Sequence, residues 1–165
     1  MQVDKKYMEV KYTTKSAKQT QKLGESFAKN VLALQRTSLA QGKNNSAVVF
    51  GLSGNLGGGK TTFLQGFSKG IGIKEKILSP TFVILKRFKI KGLKFEFLYH
   101  IDCYRLETEK DILELGWKEI ISDPKNIIAV EWPEKIKKGL PKNAIFIKFK
   151  FIDNKTREIK FDRKF

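Results

Sequence analysis

The chain has little of several residues that narrow its reading at once. It holds one cysteine, Cys103, and one histidine, His100, in 165 residues. A single cysteine forbids an internal disulfide, and one residue of each kind cannot build a zinc cluster. That usage fits a reducing, cytoplasmic setting. Long apolar runs are missing: Asn126-Ile-Ile-Ala-Val130 and Ala47-Val-Val-Phe-Gly51 are far too short to cross a bilayer, so no membrane role is expected. The opening Met1-Gln-Val-Asp-Lys-Lys carries no apolar stretch of the signal-peptide kind. Arginine is scarce, at 5 against 28 lysines, and the positions 36, 87, 105, 157 and 163 do not cluster. A small-molecule kinase with an arginine-lined lid is therefore the weaker of the enzyme readings.

What is present is an ordinary globular composition, 41% hydrophobic and 30% charged, which argues against wholesale disorder. The length suits one domain, 1–165, with a core of its own. The net charge of +16 can draw the chain to nucleic acid. Residues 135–165 alone hold 11 Lys/Arg against three acids. The alternation Phe146-Ile-Lys-Phe-Lys-Phe151, however, is the ordinary pattern of a half-buried strand with a solvated face. A nucleotide-gated basic RNA-binding module is thus an alternative to an enzyme, and a small-molecule kinase is another.

Periodicity and breakers divide the chain. Val10–Thr14 reads as an edge strand. Ser16 is placed to cap a helix running to about Leu39, with Leu23, Phe27, Val31 and Leu34 at helical spacing. A polar turn over 41–46 leads to an apolar strand from Ala47 to Leu52 and then a helix from Lys60 to about Gly70. Strands are predicted over Thr81–Ile90 and Leu93–Ile101, joined near Lys91-Gly92. A helix from Thr108 to about Leu115 carries Thr108 and Asp111 as a capping pair, and a short helix follows over Trp117–Ile121. Ile127–Val130 is apolar throughout, as in a buried parallel strand. Ala144–Ile152 and Arg157–Phe161 close the chain as a hairpin turning at Asp153-Asn154. The expected class is α/β, with a mixed, mostly parallel central sheet flanked by helices.

Between the strand ending at Leu52 and the helix starting at Lys60 lies Gly54-Asn-Leu-Gly-Gly-Gly59-Lys60-Thr61. It fits G-x-x-x-x-G-K-[ST] without a gap, in the strand–loop–helix context the motif requires. This is the P-loop of a nucleoside triphosphatase. Glycines let successive backbone N–H groups turn inward on phosphate oxygens, and the helix N-terminus adds its positive end. Lys60 is expected at the β- and γ-phosphates, and the Thr61 hydroxyl at Mg²⁺. Thr62 either meets an α-phosphate or caps the helix.

Such a site needs an acid beside the metal, at the C-terminal end of a buried strand. Asp102, at the end of Phe95–Asp102, and Glu131 both qualify; Glu131 directly follows the more purely apolar Ile127–Val130, where a central parallel strand would deliver it. If 100–104 is extended, His100, Asp102 and Tyr104 share a face. Ser79-Pro80-Thr81 follows the P-loop helix, where a nucleotide-sensing loop can sit, but the residues by themselves favour an ordinary turn.

Four blocks stand in order: Gly54–Phe63, Ser79-Pro-Thr-Phe82, Tyr99-His-Ile-Asp-Cys-Tyr-Arg-Leu106 and Val130-Glu-Trp-Pro133. Ser16, Thr20, Leu23-Gly24-Glu25 and Thr156-Arg157-Glu158 extend them. Together they resemble the TsaE (YjeE) family of bacterial ATPases in tRNA threonylcarbamoyladenosine biosynthesis, over about residues 10–163. The resemblance implies weak, partner-dependent ATP hydrolysis with TsaD and TsaB, in service of threonylcarbamoylation of adenosine 37 in tRNA. It implies that Leu56, Gly57, Gly58, Gly59, Lys60, Thr61 and Thr62 bind phosphates, and that Thr61 and Glu131 hold Mg²⁺. It makes Asp102 the residue that orients or activates water, or that steadies the groups around the metal. It places Trp132 near the nucleotide, Arg157 on ATP, Ser16 and Ala17 beside the base, and Ser79–Thr81 as a switch-like loop. Two positions depart from the family: Asn55 stands where an Asp is usual, and Gly58 replaces the more usual Ala.

Overall fold

A computed structural model describes residues 10–40, 45–80 and 84–162, with side chains throughout except at 34–40 and 109. Val10–Thr14 forms β1, and Ala17–Ala40 forms α1. Ser16 starts that helix as its composition demands: its Oγ accepts the Gln19 N–H at 3.1 Å. Val48–Ser53 is β2, Lys60–Gly70 is α2, Leu85–Lys89 is β3 and Phe97–Asp102 is β4. Glu109–Leu113 (α3) and Trp117–Ser122 (α4) precede Asn126–Glu131 (β5) and a 3₁₀ segment, Pro133–Gly139. Ile145–Phe151 (β6) and Arg157–Phe161 (β7) complete the order.

The seven strands make one sheet in the order β1-β7-β6-β2-β5-β4-β3. Its four central strands, β6, β2, β5 and β4, run parallel. At the flanks, β3, β7 and β1 pair antiparallel with their neighbours. The expected mixed sheet with a parallel core is thus the observed one. β5 is buried at all six positions, as an apolar run covered on both faces must be.

Helices α1 and α2 cover one face. Phe27, Phe50, Phe63 and Phe67 pack there with ring centroids 4.8–5.7 Å apart, and Val31 and Leu23 join the same core. The Leu34 side chain lies outside the described residues. The two helices touch backbone to backbone: a Cβ on Gly66 would sit 1.9 Å from the Gln21 carbonyl oxygen. On the other face, Ile112, Trp117 and Ile136 cover Ile101, Ile128 and Val130. The buried indole of Trp117 donates to the Gly139 carbonyl at 2.9 Å.

Three expectations shift. The strands predicted from Thr81 and Leu93 begin later, at Leu85 and Phe97. Residues 81–83 lie outside the described residues. Ile84 is left-handed, at φ 62°, and its N–H donates to the Pro80 carbonyl at 2.7 Å. The connection between β3 and β4 is wider than a tight hairpin because Ile90 N–H closes it on the Glu96 carbonyl. The helix predicted to Leu115 ends at Leu113, before Gly116 with φ 75°. The predicted polar turn at 41–46 falls largely on residues outside those described. Among the described residues no helix is long and apolar enough to cross a membrane.

Candidate active site

Parallel strands deliver their C-terminal ends to one edge, and the chain's chemistry collects there. β2 ends at Ser53 and runs into the glycine loop, while β4 and β5 end side by side at Asp102 and Glu131, which are register partners. The loop's path depends on glycine. Gly54 has φ 130°, and a Cβ there would lie 2.2 Å from the Phe149 carbonyl oxygen. Gly57 and Gly59 are also left-handed, at φ 74° and 99°, so the amides of 57–61 curl around a concavity at the start of α2.

That concavity opens into a cleft of about 910 Å³. Its lining brings together Ala17, Leu56, Gly57, Gly58, Gly59, Lys60, Thr61, Thr62, Asp102, Glu131, Trp132 and Arg157, while His100 is not part of it and Thr81 falls outside the described residues. Ser16, Thr20, Ser79 and Tyr104 line it too. Lys15, Asn154 and Lys155 complete the wall. They were not foreseen, because they belong to no motif and reach the cleft from the start of α1 and the tip of the β6–β7 hairpin.

Lys60 is folded back onto its own loop. Its Nζ donates to the Gly54 carbonyl at 2.6 Å and the Asn55 carbonyl at 3.1 Å, and lies 4.8 Å from the centre of the Trp132 ring. Burial holds the ammonium below the usual lysine range, against the opposing pull of Glu131, Asp102 and Glu134. A desolvated cation with weak carbonyl partners is well suited to exchange them for phosphate oxygens.

Asp102 is buried and fixed at both oxygens. Oδ2 accepts the Ser79 hydroxyl at 3.1 Å, and Oδ1 accepts the Tyr104 N–H at 2.9 Å. The expected shared face of His100, Asp102 and Tyr104 is therefore only half realised. β4 stops at Asp102, and Tyr104 reaches the cleft from the turn that the Asp102 carboxylate closes. Glu131 is hydrogen-bonded through Oε1 to His100 Nε2 at 2.8 Å. The neighbouring Cys103 is inert, since burial, with Asp102 and Glu134, pushes its thiol up to about 12.

Trp132 follows Glu131 in a left-handed conformation, φ 57°, which costs a bulky residue about 1–3 kcal/mol. The twist points the ring at the cleft, 5.2 Å from Tyr104. Arg157 closes the opposite side. Its Nε donates to the Gly57 carbonyl at 2.9 Å, and its guanidinium lies 4.5 Å from the Phe151 ring centre.

Thr61, Asp102 and Glu131 offer one hydroxyl and two carboxylates, all hard oxygen donors. No group of three or more His, Cys, Asp or Glu able to hold a metal exists among the described residues. That donor set fits Mg²⁺, which takes one or two protein oxygens and completes its shell with water and phosphate.

Strand, glycine loop, buried lysine and acids on the two adjacent parallel strands define a P-loop protein of the nucleoside-triphosphatase type. The profile of the family described as "Threonylcarbamoyl adenosine biosynthesis protein TsaE" matches residues 14–159, and the chain belongs to that family. A Bacillus subtilis protein named tRNA threonylcarbamoyladenosine biosynthesis protein TsaE is 40% identical over 113 residues, covering 68% of each chain. The protein of the same name from Rickettsia typhi is 34% identical over 147 residues, 88% of this chain and 90% of that one. The crystal structure of Bacillus subtilis YdiB superposes with a TM-score of 0.64 at 26% identity, covering 93% of this chain and 84% of that one.

Proposed function

We propose that the chain, as a single ATPase domain, binds Mg-ATP in this cleft and hydrolyses it slowly, acting with TsaD and TsaB in forming threonylcarbamoyladenosine at position 37 of tRNA. The observation that carries the reading is the convergence of Lys60, Asp102 and Glu131 on the glycine loop at one sheet edge. The backbone amides of 57–61 receive the phosphates, and Lys60 leaves the Gly54 and Asn55 carbonyls for the β- and γ-phosphate oxygens. Thr61 and Glu131 would hold Mg²⁺, which would supply positive charge against the charge developing on the phosphates. Asp102 orients the water that attacks the γ-phosphorus in line, its carboxylate steadied by Ser79 and Tyr104. Trp132 and Arg157 flank the nucleotide, with Ser16 and Ala17 beside its base. Positioning and electrostatics supply the acceleration. Partner docking completes the site and accounts for slow turnover alone. A cytoplasmic location follows from the same pathway.

The test is phosphate release from Mg-ATP, alone and with the TsaD–TsaB pair, using Lys60→Ala as control. The reading expects slow release that needs Lys60 and changes when the pair is added. Undiminished turnover by the Lys60→Ala protein would overturn it.

One observation favours a second reading, direct contact with RNA. Lys11, Lys160 and Lys148 stand in register across β1, β7 and β6, Lys11 being paired with Glu158 at 2.6 Å, and such a row of lysines attracts a polyanion. If tRNA binds there, Lys148→Ala lowers the slope of log affinity against log salt by roughly 0.7–0.9. An unchanged slope excludes it.

A further inference from the structure

His100 is the one histidine of the chain, and its side chain is 1% exposed. It projects from β4 two residues before Asp102, beneath the floor of the cleft rather than in its lining. Its Nε2 lies 2.8 Å from Glu131 Oε1 on the adjacent strand. Nδ1 has no hydrogen-bond partner. Burying an imidazole with one nitrogen unsatisfied is unfavourable, and an apolar side chain at this position of β4 would avoid the cost. The arrangement gives something in return. A carboxylate oxygen only accepts, so the shared hydrogen sits on Nε2. Oε1 is thereby tied to the interior. Glu131 still lines the cleft, and Oε2 is the oxygen left to serve it.

We propose that His100 is a positioning residue, whose Nε2–H pins Glu131 so that its second oxygen meets the metal of the bound nucleotide. This rests on the reading of Glu131 as the metal ligand. The parallel register makes the contact possible. His100 is paired with Ala129 and Asp102 with Glu131, so the two residues lie on diagonal positions of neighbouring strands. Outer partners of this kind fix the direction of a ligating group, and losing one typically weakens metal binding about 10–100-fold. His100 is not part of the cleft lining and acts through Glu131, so it is not a catalytic residue.

The test measures binding of a fluorescent ATP analogue at rising Mg²⁺ and, separately, with EDTA. His100→Leu removes the donor, while His100→Gln keeps an N–H at similar reach. For His100→Leu the Mg²⁺ needed for half-maximal effect should rise about 10-fold or more, with metal-free affinity unchanged. For His100→Gln it should stay within about 3-fold. In a Glu131→Gln background, His100→Leu should add nothing further, because it acts through Glu131. If His100→Leu does not fold, His100→Met takes its place with the same expectations.

An unchanged Mg²⁺ requirement in the donor-less variant overturns the proposal. So does an equal loss in the Gln and Leu variants, or a loss that persists with EDTA. If the unaltered protein shows no Mg²⁺-dependent nucleotide binding, the functional reading itself falls and the proposal with it. If the unaltered protein responds to Mg²⁺ and the Leu variant matches it, only the role of His100 is refuted.

Discussion

The two halves of the sheet are built under different rules. In the half formed by β2, β5 and β4, strands run parallel and helices cover both faces. Every residue of β5 is buried there, Glu131 included. In the half formed by β6, β7 and β1, these strands pair antiparallel with one another, and the face toward α1 and α2 carries most of the packing. Ile147, Phe149, Ile159 and Phe161 fill that face, while Lys148 and Lys150 stand exposed on the other. The parallel half holds Asp102 and Glu131 buried at the paired ends of β4 and β5, where the proposed metal and water would lie. The antiparallel half contributes the hairpin that carries Arg157 over the glycine loop.

Substitutions should expose that contrast. The largest effect is expected in the covered half, where Phe50→Ala removes a ring that is 0% exposed and should cost about 3–5 kcal/mol of unfolding free energy in denaturant titration. Next comes Arg157→Ala. It should leave stability nearly intact and weaken ATP binding about 10-fold, the worth of a charge-assisted contact. Equal affinity would remove the hairpin from the site.

Smaller still is Thr108→Ala at the start of α3, at about 1 kcal/mol. Asp111 shares that cap. Hydrogen bonds from the Thr108 and then the Glu107 backbone N–H, with the Thr108 hydroxyl, hold its carboxyl below the usual aspartate range. A carboxyl with a lowered folded pKa gives its full support above the unfolded value and loses it as pH falls through the folded one. Hydrogen exchange should therefore show α3 losing protection below about pH 4. A flat response would contradict the cap. The smallest effect belongs to Lys148→Ala on the open face, within about 0.5 kcal/mol. A large loss there would show that this face is more than a solvated one.

Much of this was legible in the residues. The glycine loop stands uninterrupted between an apolar strand and a helix, so local chemistry alone places Gly54–Thr61. The edge strand, α1, α2 and the last hairpin follow from alternation, caps and helical spacing. What could not be read depends on register. Glu131 stood out as following the purer apolar run, but nothing in the residues shows that Asp102 is its register partner on the adjacent strand, so that both reach the cleft. The His100–Glu131 bond joins residues 31 apart, and no spacing rule announces it. Tyr104 was misjudged because the Asp102 carboxylate bonds the backbone two residues on and turns the chain out of the strand. Lys15 and Lys155 carry no motif, and tertiary folding alone brings them to the site.

The most direct test of the central claim is equilibrium binding of ATP to the unaltered protein, Lys60→Ala and Glu131→Gln, each with and without Mg²⁺. The account predicts that Lys60→Ala loses about 100-fold or more in both conditions. It predicts that Glu131→Gln keeps metal-free binding and loses only the increment that Mg²⁺ adds. Binding by Lys60→Ala equal to that of the unaltered protein would contradict the account at its base.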